Sequence, residues 1–140
     1  MKKRAMIIGN LRSVVFVTQF LVDKGYQVLI ISQDHDEANQ IASITSMPVL
    51  CGNGTYPEVL QEAKMQSADI AVAMMQEDES NYVAALLCKR LLNIKSVVAV
   101  LSDATKIDVF YQSGIDSVIC EAASIVGVLH QQIGNKLERE

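Results

Sequence analysis

Short runs of consecutive apolar residues alternate along the chain with longer stretches whose apolar positions recur at helical spacing. The short runs predict strands at Ala5–Ile8, Gln27–Ser32, Pro48–Cys51, Asp69–Met74, Ser96–Leu101 and Ser117–Cys120. The periodic stretches predict helices at Ser13–Lys24, from Asp34 or Asp36 to about Ser46, and at Pro57–Ala63, Glu77–Leu92, Thr105–Ser113 and Ala122–Leu137. The flanking residues agree. Gly25 and Gly114 follow helices, as C-terminal stops do, and Pro57 falls where a first turn accepts proline. Glu77, Asp78 and Glu79 open a helix that closes on Lys89 and Arg90, matching its dipole. Strands with almost no polar alternation are buried on both faces, which implies a parallel sheet between helix layers. The expected class is α/β: a doubly wound, six-stranded parallel sheet with helices on both faces and right-handed crossovers. No linker divides it, so residues 1–140 read as one domain.

Composition narrows the function classes. Half of the residues are hydrophobic and the formal net charge is −4, which excludes a disordered chain and a dedicated nucleic-acid surface. The basic run Lys2-Lys3-Arg4 reads as a solvated start before a buried strand. No apolar run approaches membrane-spanning length and no signal peptide is visible, so no direct membrane insertion is expected. Cys51, Cys88 and Cys120 are widely spaced in apolar contexts and are expected as reduced core thiols.

A sheet of this kind takes ligands beyond the carboxyl ends of its strands, which selects Gly9–Val14, Ser32–Asp36, Gly52–Thr55 and Met74–Glu79. A Rossmann-like dinucleotide binder would carry G-x-G-x-x-G in the first segment. Here Gly9-Asn10-Leu11-Arg12-Ser13-Val14 keeps one glycine. Leu11 puts a side chain where the backbone should approach a pyrophosphate, and Val14 would push the helix outward. Ser32 stands where an acidic residue would hold ribose hydroxyls, and no arginine follows to favour NADP. Arg12 reads equally as a phosphate clamp or a solvated first-turn residue. Glu77–Glu79 read as a helix start before a metal site, so no metal is expected. His35 reads as an exposed loop residue, His130 as surface or interface, and Met74 and Met75 as pocket wall or core. No nucleophile–base set or metal cluster is suggested, so no enzyme is expected.

Three stretches carry a resemblance: Gly52-Asn53-Gly54-Thr55-Tyr56-Pro57-Glu58-Val59-Leu60, then Ala68-Asp69-Ile70 through Asp78-Glu79-Ser80-Asn81, then Gly114-Ile115-Asp116-Ser117-Val118-Ile119. In order and spacing the chain resembles the RCK N-terminal (TrkA-N) domain of potassium channel and transporter regulatory proteins, across essentially its whole length. The resemblance implies a cytoplasmic regulatory domain of a potassium channel or uptake system, peripheral to the inner face of the membrane through a channel or transporter subunit. It implies gating by ligand or assembly state, and a homodimer or larger ring. Its cofactor-binding positions map to Gly9, Asn10, Leu11 and Arg12 at the phosphates, Ser32 at the ribose, Asn53 and Gly54 near the adenine, and Met75 after the fourth strand. Because Leu11, Val14, Ser32, Asn53, Met75-Gln76 and Val100 depart from the family pattern, NAD is disfavoured and the ligand stays open, a low-affinity adenine nucleotide being the candidate. The alternatives are a structural dimerisation module that binds no nucleotide, and an NAD-dependent oxidoreductase, for which 140 residues leave no substrate-bearing region. The dimer contact is expected on the last two helices, near Val109, Phe110, Ile125, Val128 and Leu129. The sequence ends where the family's C-terminal ligand domain would begin, consistent with a separate subunit or a piece of a longer chain.

Overall fold

A computed structural model of the chain describes residues 2–139, with the side chains of residues 11, 12 and 135–139 outside the description. The strands are β1 (Arg4–Gly9), β2 (Gln27–Ser32), β3 (Val49–Cys51), β4 (Ile70–Met74), β5 (Ser96–Leu101) and β6 (Ser117–Cys120). All pairings are parallel, in the order β3-β2-β1-β4-β5-β6. The helices are α1 (Leu11–Asp23), α2 (His35–Thr45), α3 (Pro57–Glu62), α4 (Asp78–Arg90), α5 (Ile107–Gln112) and α6 (Glu121–Arg139). A 3-10 turn at Ala104–Lys106 leads into α5.

The pleat of β1 sorts the core into two layers. Ala5 and Ile7 pack with Val14, Leu21 and Ile41 under α1 and α2. Met6 and Ile8 pack with Leu60, Ala84, Ala85 and Phe110 under α3, α4 and α5. Helices therefore cover both faces, as the continuous apolar strands require. Asp34 is the N-cap of α2, accepting from the backbone N–H groups of Asp36 (2.8 Å) and Glu37 (3.0 Å). At the far end of β5, the Asp116 carboxylate accepts from Val97 N and from Lys89 Nζ, both at 2.8 Å.

Several expectations are corrected. Cys88 and Cys120 are buried, but Cys51 is exposed, because β3 is a three-residue edge strand with one side uncovered. His35 is the first residue of α2, within reach of Asn39 at 3.1 Å, and not a loop residue. Phe110 belongs to the core at 2 % exposure, while its neighbours Val109 and Tyr111 face outward. α6 stands apart from the body: residues 121–133 are all exposed, among them Ile125, Val126, Leu129 and Ile133.

Lys64, just past α3, sits at φ 55°, in the left-handed region that a side chain disfavours. Lys64→Gly is expected to stabilise the fold by about 1 kcal/mol, read as a raised midpoint in urea unfolding. An unchanged or lowered midpoint would show that the lysine side chain contributes more than its backbone strain removes.

Candidate functional site

Strand order reverses between β1 and β4, and the crevice opens there, beyond the carboxyl ends of the sheet. It holds two cavities of about 740 and 290 Å³ that share Asn10, Met75 and Gln76 on their walls. The larger extends over β5 to Ser102. The smaller runs toward Gln33, Gly52 and Gly54.

The expected site residues divide into three groups. Asn10 and Met75 line both cavities, and Gly9 and Gly54 line the smaller one. Both glycines also have a packing reason to be there. A Cβ on Gly9 would lie 2.7 Å from the Met74 carbonyl oxygen and 3.0 Å from Val14 Cγ2, and one on Gly54 would collide with Ile8 Cγ2. Asn53 spends its side-chain oxygen within its own loop, accepting from Thr55 N (2.9 Å) and Thr55 Oγ1 (2.7 Å). Ser32 is buried at 1 % exposure, and its Oγ has no hydrogen-bond partner among the described residues. Val14 is fully buried in the layer under α1. Leu11 and Arg12 begin α1, but their side chains lie outside the described residues.

Two residues that hold the site together were not singled out from sequence for that role. Asn81, 1 % exposed, accepts from Met75 N (2.7 Å) and donates to the carbonyls of Met75 (3.0 Å) and Val100 (2.9 Å). It fills the gap where β4 and β5 part beyond their last paired residues, Ala73 and Ala99. Asp78, 7 % exposed, accepts from Ser102 N (2.8 Å), Ser102 Oγ (3.0 Å) and Asp103 N (3.0 Å). The available signal was their spacing: three residues apart in a first helical turn, they share one face.

Burial opposes the charge on Asp78, yet the backbone N–H groups of Ser102 and Asp103 and the Ser102 hydroxyl outweigh it and hold the carboxyl below its ordinary 3.8. Asp116 is likewise lowered, with burial overcome by Lys89 and the Val97 N–H. The stability from such groups is complete above the unfolded value and is lost as pH falls through the lower folded values. Urea midpoints are therefore expected to be lower at about pH 3 than at about pH 5.5, and the difference should shrink in Asp78→Asn. An equal difference in that variant would remove Asp78 as a source.

The described lining residues offer a pyrophosphate no cationic side chain. Glu37, Glu77, Asp78 and Glu121 line the two cavities, and among the described residues no lysine or arginine does. The whole carboxyl end of the sheet shares this sign. Asp34, Asp36, Glu58, Glu79, Asp103 and Asp108 also lie there, against Arg12 and Lys106. The opposite end is mixed, with Lys24, Lys64, Lys89, Arg90 and Lys95 beside Asp23, Glu62, Asp69 and Asp116. Among the described residues no group of three His, Cys, Asp or Glu is placed to hold a metal, and no helix is long and apolar enough to cross a membrane.

Comparison with known proteins gives this arrangement a family. The profile of the TrkA-N domain matches residues 5–121. The chain belongs to the TrkA-N domain family. A curated TrkA-N relative, the Trk system potassium uptake protein TrkA homolog of Methanothermobacter thermautotrophicus, is 29% identical over 128 residues, which is 91% of this chain and 59% of the relative. This TrkA-N chain thus spans only about three-fifths of that relative's length. Among solved structures, the TrkA-N domain of the Escherichia coli inner membrane protein ybaL superposes with a TM-score of 0.82 at 11% identity, covering 94% of this chain and 97% of that one. The GsuK structure bound to ADP superposes with a TM-score of 0.74 at 17% identity, covering 86% and 31%. At these identities the likeness to both structures is one of fold.

Proposed function

We propose that this TrkA-N domain is a cytoplasmic regulatory domain of a potassium channel or potassium uptake system. It converts ligand occupancy or assembly state into a signal to a membrane subunit, through differential affinity for two arrangements. The observation that carries this reading is the family match across residues 5–121. The relative's name supplies the potassium role. The domain acts by binding, not catalysis, in keeping with a relative named as a potassium uptake protein.

The working unit is a homodimer, or a larger ring built from one. α6 carries Ile125, Val126, Leu129 and Ile133 on one face, and that face is exposed in the single chain. Between α4 and α5 lies a groove of about 460 Å³, bordered by Tyr82, Val83, Val109 and Phe110. Val83 and Val109 are 41 % and 51 % exposed there, so the groove offers the same apolar chemistry as α6. Docking α6 of one copy into the groove of another would cover both.

In the crevice, a low-affinity adenine nucleotide is favoured over NAD. The free N–H groups opening α1 attract a phosphate, while Leu11 and Val14 stand where a dinucleotide loop has glycines and Ser32 where a carboxylate would hold ribose hydroxyls. A thermal-shift panel of NAD, NADH, ATP, ADP, AMP and cyclic dinucleotides is expected to show at most small shifts for NAD and NADH. Low-micromolar NADH binding in calorimetry would overturn this reading of the loop. The potassium role is tested by uptake from potassium-limited medium in cells lacking the chain and in cells with it restored. Uptake that changes on loss and returns on restoration is expected. Uptake indifferent to the chain would refute the role.

A further inference from the structure

We infer that Asp78 is the joint through which the crevice and the α4–α5 groove act on each other. This rests on the reading that α6 of a second copy docks in that groove. Asp78 lies on the wall of both cavities. Its carboxylate, at the start of α4, takes Ser102 N, Ser102 Oγ and Asp103 N. Asp103 then caps the 3-10 turn that opens α5, accepting from Thr105 N (3.0 Å) and Thr105 Oγ1 (2.7 Å). The near end of α5 therefore hangs on Asp78 through one continuous set of hydrogen bonds.

The far end is fixed independently. Tyr82 Oη and Ser113 Oγ are 2.6 Å apart, and the Tyr82 and Phe110 rings lie 5.0 Å centroid to centroid. With that end held, a change at Asp78 swings the near end of α5 and alters the width of the groove. A second tie across the near end, Lys106 to Glu79 at 2.9 Å, is solvent-exposed and correspondingly weak. Ser102 also faces the larger cavity, so a ligand that engages its hydroxyl competes directly with Asp78. Asp78 is a positioning residue: it needs no contact with the docked helix to set how well that helix fits.

The test measures pairing by sedimentation equilibrium, and folding by thermal melts, for the 140-residue chain and three variants. Asp78→Asn turns an amide N–H toward a backbone N–H, and Ser102→Ala removes the hydroxyl that bridges the two walls. Asp116→Asn is the control, removing a carboxylate of similar environment at the opposite end of β5, away from both cavities. Asp78→Asn is expected to weaken pairing roughly tenfold or more, and Ser102→Ala in the same direction by less. The double variant should be no weaker than Asp78→Asn alone, because both act on one clamp. Asp116→Asn should lower the melting temperature and leave pairing unchanged. A dimeric parent whose Asp78→Asn and Ser102→Ala variants pair as tightly as it does overturns the joint alone. So does a loss of pairing in Asp116→Asn equal to that in Asp78→Asn. If Asp78→Asn fails to fold, Ser102→Ala against Asp116→Asn decides the matter. A monomeric parent overturns the docking reading, and the joint with it.

Discussion

Leu129→Asp is expected to leave the chain monomeric where the parent is dimeric. Leu129 is 55 % exposed in the single chain, in the middle of the α6 face that carries Ile125 and Ile133. An aspartate there forfeits the apolar burial of a leucine and must be desolvated as an anion, so pairing should weaken at least about a hundredfold. Light scattering at high micromolar concentration would read the change as a halved mass. Gln131→Glu, on the opposite side of the same helix, adds the same charge away from the contact and should leave pairing close to that of the parent. A parent that is monodisperse as a monomer at these concentrations would dispose of the dimer. So would a Gln131→Glu effect as large as that of Leu129→Asp.

Asn81→Ala is expected to cost about 3 kcal/mol in urea unfolding, because it strands Met75 N and removes donors from two half-buried carbonyls. Asn81→Asp should be no milder. It keeps an acceptor for Met75 N but sets a second oxygen against the carbonyls of Met75 and Val100. A loss below about 1 kcal/mol in both variants would mean that water replaces the amide, and that the gap between β4 and β5 is wetter than its burial implies.

The same pair of residues marks the limit of what the sequence discloses. Strands and helices were legible because burial on two faces leaves continuous apolar runs, and because Asp34, Pro57 and Gly25 punctuate them chemically. The crevice was legible as a location, since strand order places it. Its construction was not. An aspartate in a first turn is already accounted for by the helix dipole, so nothing in the string shows that Asp78 reaches back to Ser102, 24 residues away. Cys51 reads as core by its neighbours Val49 and Leu50, yet it ends a three-residue strand at the sheet edge, flanked by a strand on one side only. Six-residue α5 is too short for periodicity to separate Val109, facing out, from Phe110, facing in. Ser32 was legible as an absent carboxylate but not as a buried hydroxyl, because burial depends on packing around the end of β2 that the string does not show.

The excess of carboxylates at the carboxyl end of the sheet bears on traffic as well as affinity. Field lines from the carboxylates at the helix starts converge on the crevice mouth, so an approaching anion is turned back before it reaches the free N–H groups of α1. Added salt shortens the reach of that field to about 8 Å at physiological strength. The on-rate of any anion probed at this crevice is therefore expected to rise with ionic strength, the reverse of the usual behaviour of a phosphate-binding protein. A cation meets the opposite gradient and arrives faster in dilute buffer.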